Sequence, residues 1–348
     1  MRIPGNISDR AAVIRPGLLN LYVIASVPVL ILGIWHMGQI MPGYPFNPDS
    51  MSAWEAFIVR RLAGDMGSQN GAAASLVIGV FFLSRLLVAA LVSYTWASLF
   101  SRIRKKPLDP GWFHLAWWFT LLMPASVPLP FLALGLSFGL VFGCYVFGGT
   151  GRYIVNPALL GAVFLAFSWP SAISGGWLPG LDLVSSWEQL INEGHAAFIT
   201  SGTSWLELAG GHEVSALGVG SAGACLVVAV FLVFAGLVPW RIITGGLVGI
   251  CIAGLGFAEP PWFWQPVVGS FCFVLVFIAT DPTTVPESRI GCWTLGVVFG
   301  GLTIVIRMLN PDHPEGSLYA LLLASLLVPL ADQAARIIDR AREPVAHE

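Results

Sequence analysis

The residues best placed to do chemistry form one run, Phe147-Gly148-Gly149-Thr150-Gly151-Arg152-Tyr153-Ile154-Val155-Asn156-Pro157. Glycines on both sides of Thr150 allow close backbone approaches that a β-carbon hinders. Asn156-Pro157 reads as a helix start, with Asn as N-cap and Pro at the first helical position. A glycine loop feeding a helix start aims N–H groups at one spot, which suits a phosphate, carboxylate or carbonyl oxygen. A tight turn between two helices is the other reading of the same spacing. The run lacks the Lys-Ser/Thr of a P-loop and follows no strand pattern, so it is not a nucleotide-binding motif.

A second candidate chemistry lies in carboxylates at or within apolar segments, where charge is costly and usually functional. Asp281 and Asp332 could line a cation route as hard oxygen ligands with little other charge nearby. An interfacial cap or pair is the alternative, and for Asp332 the partner would be Arg336 at i+4. Arg85 and Arg307 are the other ionisable residues in such positions. His36, His114, His195, His212 and His313 are scattered without metal-ligand spacing, so no metal is expected. Cys144, Cys225, Cys251, Cys272 and Cys292 lie in or beside apolar runs without a CxxC pair and read as buried inert thiols. Trp112, Trp117, Trp118, Trp169, Trp262 and Trp264 read as an interfacial belt, with stacking on a bound ring as the alternative.

The elements that must position these groups follow from composition. Charged residues make up 10% of the chain and apolar ones 56%, with mean hydropathy +0.79. Soluble domains carry about 25% charged residues, so this is an all-α membrane protein whose first partner is the lipid bilayer. No basic stripe or nucleic-acid motif is present, and no nucleic-acid partner is expected. Apolar segments fall near 18–41, 73–100, 111–127, 129–147, 156–169, 215–238, 241–258, 262–280, 290–308 and 318–335, which makes about ten transmembrane helices of roughly 20 residues or fewer. The stretch before the first has no small-residue cleavage site and reads as leading into a membrane helix, not as a signal peptide.

Basic residues set the expected orientation. Arg102, Arg104, Lys105 and Lys106 place the loop after the second segment in the cytoplasm. Counting from there puts the N-terminus (1–17), Arg152, Arg241, Arg289 and the tail (336–348) on the same side. The loop 170–214 falls outside, with Asp182, Glu188, Glu193, Glu207 and Glu213 but no Lys or Arg. The expected location is the bacterial cytoplasmic membrane.

The chain also echoes itself. Pro124 and Pro128 precede the fourth segment as Pro282 and Pro286 precede the ninth. Asn156-Pro157 opens the fifth as Asn310-Pro311 comes before the tenth. Five segments separate each pair, and an odd number inverts topology. The expectation is two inverted five-helix repeats, 18–169 and 215–335, with short Pro-broken helices marking a site near the midplane.

Several passages in one order resemble a known family. These are Phe147 to Gly161, Val238-Pro239-Trp240-Arg241-Ile242-Ile243-Thr244-Gly245-Gly246, Phe277-Ile278-Ala279-Thr280-Asp281-Pro282, and Ile306-Arg307-Met308-Leu309-Asn310-Pro311 through Gly316. They are similar to the B subunits of sodium-translocating NADH:quinone oxidoreductases (Nqr) and, more loosely, to the RnfD subunits of Rnf complexes. Asp332 falls where that family has a carboxylate in its last helix. The resemblance implies ten helices in two inverted halves, within a redox pump whose other membrane, flavin and iron–sulfur subunits are partners. It implies electron flow coupled to Na+ or H+ export, with FMN, riboflavin or quinone as cofactor. The subunit would not be catalytic alone.

The family joins FMN to a threonine in a D-x-x-S/T-G-A-T stretch of the outer loop. Here, alignment on Asp182 and Ser185 puts Glu188 at that position, which cannot form the phosphoester. Ser186 and Thr203 are the fallback attachment residues, and noncovalent flavin is the expectation. The residues expected to hold it are Gly148, Gly149, Thr150, Gly151, Asn156, Pro157, Asn310 and Pro311. The alternatives are a solute channel or transporter of the same architecture and a structural membrane anchor for redox partners.

Overall fold

The computed structural model describes residues 16–40, 54, 57, 71–124, 127–170, 205–211, 216, 218–257, 261–309 and 316–342. Asn310, Pro311, Ser186 and Thr203 lie outside the described residues. The described chain is all-helical, with no strand among the described residues.

The first half contains α1 (Pro16–Ile40), α2 (Gly71–Arg104), α3 (Trp112–Leu122), α4 (Leu129–Phe138) and α5 (Pro157–Ser168). A short α6 (Trp205–Gly210) precedes the second half, which contains α7 (Ala222–Phe234), α8 (Trp240–Gly254), α9 (Phe271–Phe273), α10 (Arg289–Leu309) and α11 (Gly316–Arg342). Helix α4 runs on as a π-helix over Gly139–Tyr145, and α9 does so over Val274–Ile278. Helices α1, α2, α10 and α11 are long and apolar enough to cross a membrane, and the α4 run, α5, α7 and α8 are shorter apolar helices.

Part of the packing recurs in the two halves. Contacts α1–α3, α2–α4 and α4–α5 in the first half have counterparts α7–α9, α8–α10 and α10–α11 in the second. The halves touch through equivalent helices, α1 with α7 and α5 with α11. Each half supplies five helices among the described residues.

Outward faces are apolar. On α2, Leu76, Leu83, Leu87 and Leu91 are exposed, and on α7 so are Val227, Val230, Phe231 and Phe234. Arg85, on the opposite side of α2 from that stripe, is buried; it donates to Ser84 Oγ at 2.7 Å and lies 4.7 Å from the Phe81 ring centroid. An arginine inside an apolar bundle persists when turned inward and paired in this way.

Along part of their length two helices meet backbone to backbone. A Cβ at Gly300 would collide with the Gly246 carbonyl oxygen, and one at Gly249 with that of Val297. A Cβ at Gly296 would lie 2.5 Å from the Ile242 carbonyl oxygen. Backbones therefore touch along α8 and α10, as small residues permit where lipid removes the hydrophobic drive for helix association.

The structure sharpens one expectation and corrects two. The third segment stops at Leu122 because Met123, extended at ψ 147°, precedes Pro124, and a residue before proline is pushed out of the α region. The eighth is helical only from Phe271. Residues 261–270 form successive turns, with Gly269 at φ +67°. Nonhelical backbone at such depth needs internal partners. Buried Arg307 supplies them, donating to the carbonyls of Gln265 at 2.9 Å and Val268 at 2.8 Å. Finally, Trp117, Trp118 and Trp264 are buried, not interfacial. Trp117 donates to Ser26 Oγ at 2.8 Å, tying α3 to α1.

Candidate functional site

Pro157 opens α5 as the sequence requires, and Asn156 caps it, its Oδ1 accepting from Ala158 N at 2.9 Å and Leu159 N at 3.4 Å. The amide end of the same side chain, Nδ2, donates to Asp281 Oδ2 at 2.9 Å. The cap of a first-half helix is thereby bonded to a carboxylate of the second half. Asp281 follows the π-helix Val274–Ile278, and its Oδ1 accepts from Thr283 N at 2.8 Å and Thr283 Oγ1 at 2.7 Å. That local bond fixes the turn through Pro282.

His114 of α3 completes the cluster. Its Nε2 lies 3.0 Å from Asp281 Oδ2 and also 2.9 Å from Trp118 Nε1. An indole N–H only donates, so Nε2 bonds Trp118 through its lone pair, whereas it bonds an ionised Asp281 by carrying the proton. Proton position therefore decides which neighbour is satisfied. Asp281 is 0% exposed, and His114 and Asn156 are 2% exposed. His114 Nδ1 has no hydrogen-bond partner among the described residues. The Tyr153 hydroxyl, buried near Thr283, makes no hydrogen bond of good geometry among them. From α1, Tyr22 donates to the carbonyl oxygens of Thr280 at 3.1 Å and Leu237 at 3.2 Å, so three elements of the first half converge on residues 280–283.

Asp332 sits at the other end of the same loop. Its carboxylate accepts from Glu287 N at 3.1 Å, Ser288 N at 2.9 Å and Ser288 Oγ at 2.5 Å. Ser288 Oγ in turn accepts from Gly291 N at 2.8 Å. A negative charge at the first turn of α10 is favoured by the helix dipole. Arg336 bonds the Asp332 backbone oxygen at 3.4 Å. The two carboxylates thus hold the two ends of residues 281–288.

The glycine loop divides from Asn156-Pro157 in the fold. Gly148, Gly149 and Gly151 have φ of +116°, +104° and +81°, the left-handed region for which glycine is suited. The oxygen that this loop receives comes from the chain itself. Asp109 Oδ2 accepts from Thr150 N at 2.8 Å, and Asp109 Oδ1 accepts from Thr150 Oγ1 and from Gly111 N at 2.9 Å. Gly148 N and Gly149 N donate back to Tyr145 O at 3.2 Å and Cys144 O at 3.1 Å. The loop lies at the end of α2, bordering a cleft, whereas Asn156 and Pro157 are buried with Asp281.

His114, Trp118 and Tyr153 are additions to the residues expected to hold a cofactor. His114 and Asp281 are 167 positions apart, and no local pattern joins them. Groups of three or more His, Cys, Asp or Glu able to hold a metal ion are absent among the described residues.

Four helices long and apolar enough to cross a bilayer, with shorter apolar helices among them, define a multi-pass membrane protein. Residues 17–338 match the NQR2, RnfD, RnfE family, and the chain belongs to it. Its relatives include B subunits of Na(+)-translocating NADH-quinone reductases from several bacteria. That of Azotobacter vinelandii strain DJ is 31% identical over 353 residues. Those of Neisseria meningitidis serogroup A strain Z2491 and Pseudomonas aeruginosa strain LESB58 are 31% and 32% identical over 357 and 353 residues. In all three the alignment covers 94% of this chain and 87% of the relative.

Proposed function

We propose that this chain is the B-type membrane subunit of a sodium-translocating NADH–quinone reductase complex, acting with other membrane, flavin and iron–sulfur subunits in the bacterial cytoplasmic membrane, both its termini cytoplasmic. Near-complete coverage by relatives bearing that name is the observation that carries the reading. The inverted halves 18–169 and 215–335 form the scaffold, and the node at Asn156, His114 and Asp281 lies where they meet.

The residues present fit a noncovalently held ring. His114 Nδ1 and the Tyr153 hydroxyl are buried polar atoms without good partners among the described residues. Such atoms are costly to leave unpaired and suit a ligand with hydrogen-bonding edges. Asn156 and Pro157 belong to this buried side and Asn310 and Pro311 are its expected counterpart, whereas the Gly148–Gly151 loop lies apart from it, folded on Asp109. A bound flavin or quinone would supply electron-carrying chemistry. The chain orients it, excludes water and holds one proton between His114 and Asp281. Asp281 and Asp332, at the two ends of one loop, are the carboxylates through which a cation would be coupled to that site.

The test is NADH-driven Na+ uptake into proteoliposomes holding the assembled complex, together with acid precipitation of this subunit. Uptake that is lost without this chain, with flavin released to the supernatant, is the expected result. Uptake that persists without the chain would refute the assignment. Flavin retained on the precipitated chain would refute noncovalent binding, and attachment at Thr203 or Ser186 would then be sought by peptide mass.

A further inference from the structure

Beside the glycine loop, the end of α2 opens into a cleft of about 280 Å³ whose lining includes Arg104, Lys106 and Arg152. Three cations border one small space. The single acidic residue among the lining, Asp109, is already engaged by Thr150 and Gly111. Its charge stabilises the loop, and the cleft keeps an excess of positive charge.

Arg104 is held in place by donating to the Tyr145 carbonyl and by lying 5.2 Å from the Phe100 ring centroid. That bond uses part of a guanidinium with five N–H donors and leaves the others for an anion. Arg152 packs over Gly148, its Nη1 3.3 Å from where a Cβ would stand. Phe100 and Tyr145, stacked at 4.8 Å with 13° between their planes, both line the cleft. Tyr145 is 2% exposed and its hydroxyl has no hydrogen-bond partner among the described residues. A buried unpaired hydroxyl in the lining of a cationic cleft is a feature that an acceptor oxygen would satisfy.

The volume lies just below the range of small-molecule sites, about 300–1,000 Å³, and so suits a headgroup better than a ring cofactor. The surroundings favour a lipid. Leu99 and Ile103 on α2, and Phe142, Val146 and Phe147 beside the glycine loop, flank the lining residues in sequence and are exposed and apolar. Charged groups at a helix end beside exposed apolar side chains match the boundary between headgroups and acyl chains.

We infer that this cleft binds the phosphodiester of an anionic phospholipid, with Arg104, Lys106 and Arg152 as its cationic wall and the Tyr145 hydroxyl as a further donor. The site is independent of the redox assignment and stands whether or not a flavin is bound.

Native mass spectrometry of the complex released from nanodiscs tests it, using phosphatidylglycerol against phosphatidylcholine. The wild-type chain should retain phosphatidylglycerol and not phosphatidylcholine. Each cation near the surface contributes about five-fold to such binding. Lys106→Gln should therefore lower retention about five-fold, and Lys106→Gln with Arg152→Gln about 25-fold. Lys106 is exposed, so the single variant tests the site even where the double variant fails to fold. Equal retention of the two lipids, or unchanged retention in Lys106→Gln, would overturn the inference. Displacement of the lipid by millimolar inorganic phosphate would overturn the lipid as occupant in favour of a soluble phosphate.

Discussion

The α8–α10 seam and the Asn156–His114–Asp281 node hold helices together by opposite means. Along the seam, Gly245, Gly249, Gly296 and Gly300 remove side chains so that backbone meets backbone. At the node, polar side chains fill the gap between halves, each bonded to a partner far away in sequence. In lipid neither can rely on water to drive apolar groups together. The seam gains close dispersion contact and is indifferent to charge, whereas the node gains specific geometry and depends on where a proton sits. Only the node is built from titratable groups.

Asp281→Ala provides the strongest challenge to this division. It strips Asn156, Thr283 and His114 of their shared acceptor and should destabilise the subunit by about 3–5 kcal/mol, as breaking a buried charged pair does. Equilibrium unfolding in bicelles reads the loss, and Asp281→Asn, which keeps one acceptor oxygen, should recover part of it. A loss under about 1 kcal/mol would mean that the node does not join the halves.

Gly300→Leu probes the seam in the same assay. It forces a side chain against the Gly246 carbonyl and should cost about 3 kcal/mol, with no dependence on pH across the range where histidine titrates. A pH-dependent loss would erase the contrast between the regions.

Asn156→Ala should cost about 1–2 kcal/mol through loss of the α5 cap, and the same measurement reports it. Asn156→Asp keeps the cap but places a second carboxylate beside Asp281. A loss larger in Asn156→Asp than in Asn156→Ala would show that the bond to Asp281 outweighs the cap. Trp118→Phe should have the smallest effect, about 1 kcal/mol. It frees His114 Nε2 from one of its two partners, so its sharper readout is the histidine ring nitrogen shift, which should report the lost bond to Trp118.

Much of the scaffold was legible in the sequence because hydropathy and proline act locally. Asn156-Pro157 announced both cap and first position, and both are found there. The 261–270 stretch was misread as helix because its apolar content matches a crossing, while the residue that stabilises its turns, Arg307, lies some 40 positions further on. Asp281 was visible as an isolated carboxylate, but its partners His114 and Asn156 come from another half of the molecule. Trp118 was assigned to the interface for its place near a segment end, and only the fold shows its N–H turned inward to His114. Contacts between side chains distant in sequence leave no period to read. The carboxylate in the glycine loop's cradle was foreseeable as chemistry but not as Asp109, since a loop oxygen from the same chain and one from a ligand fit the same N–H groups.

The wide turns over Gly139–Tyr145 and Val274–Ile278 behave like a spare residue wound into each helix. Deleting a single position inside either could relax it to ordinary α pitch with its backbone bonds intact. The same deletion in an ordinary α turn, such as one within Pro157–Ser168, would swing everything downstream by about 100° about the axis. Val274–Ile278 can therefore shed one residue and keep the Asp281 carboxylate on its bearing toward Asn156. The wide turns are slack in the winding, places where length can change while aim is kept.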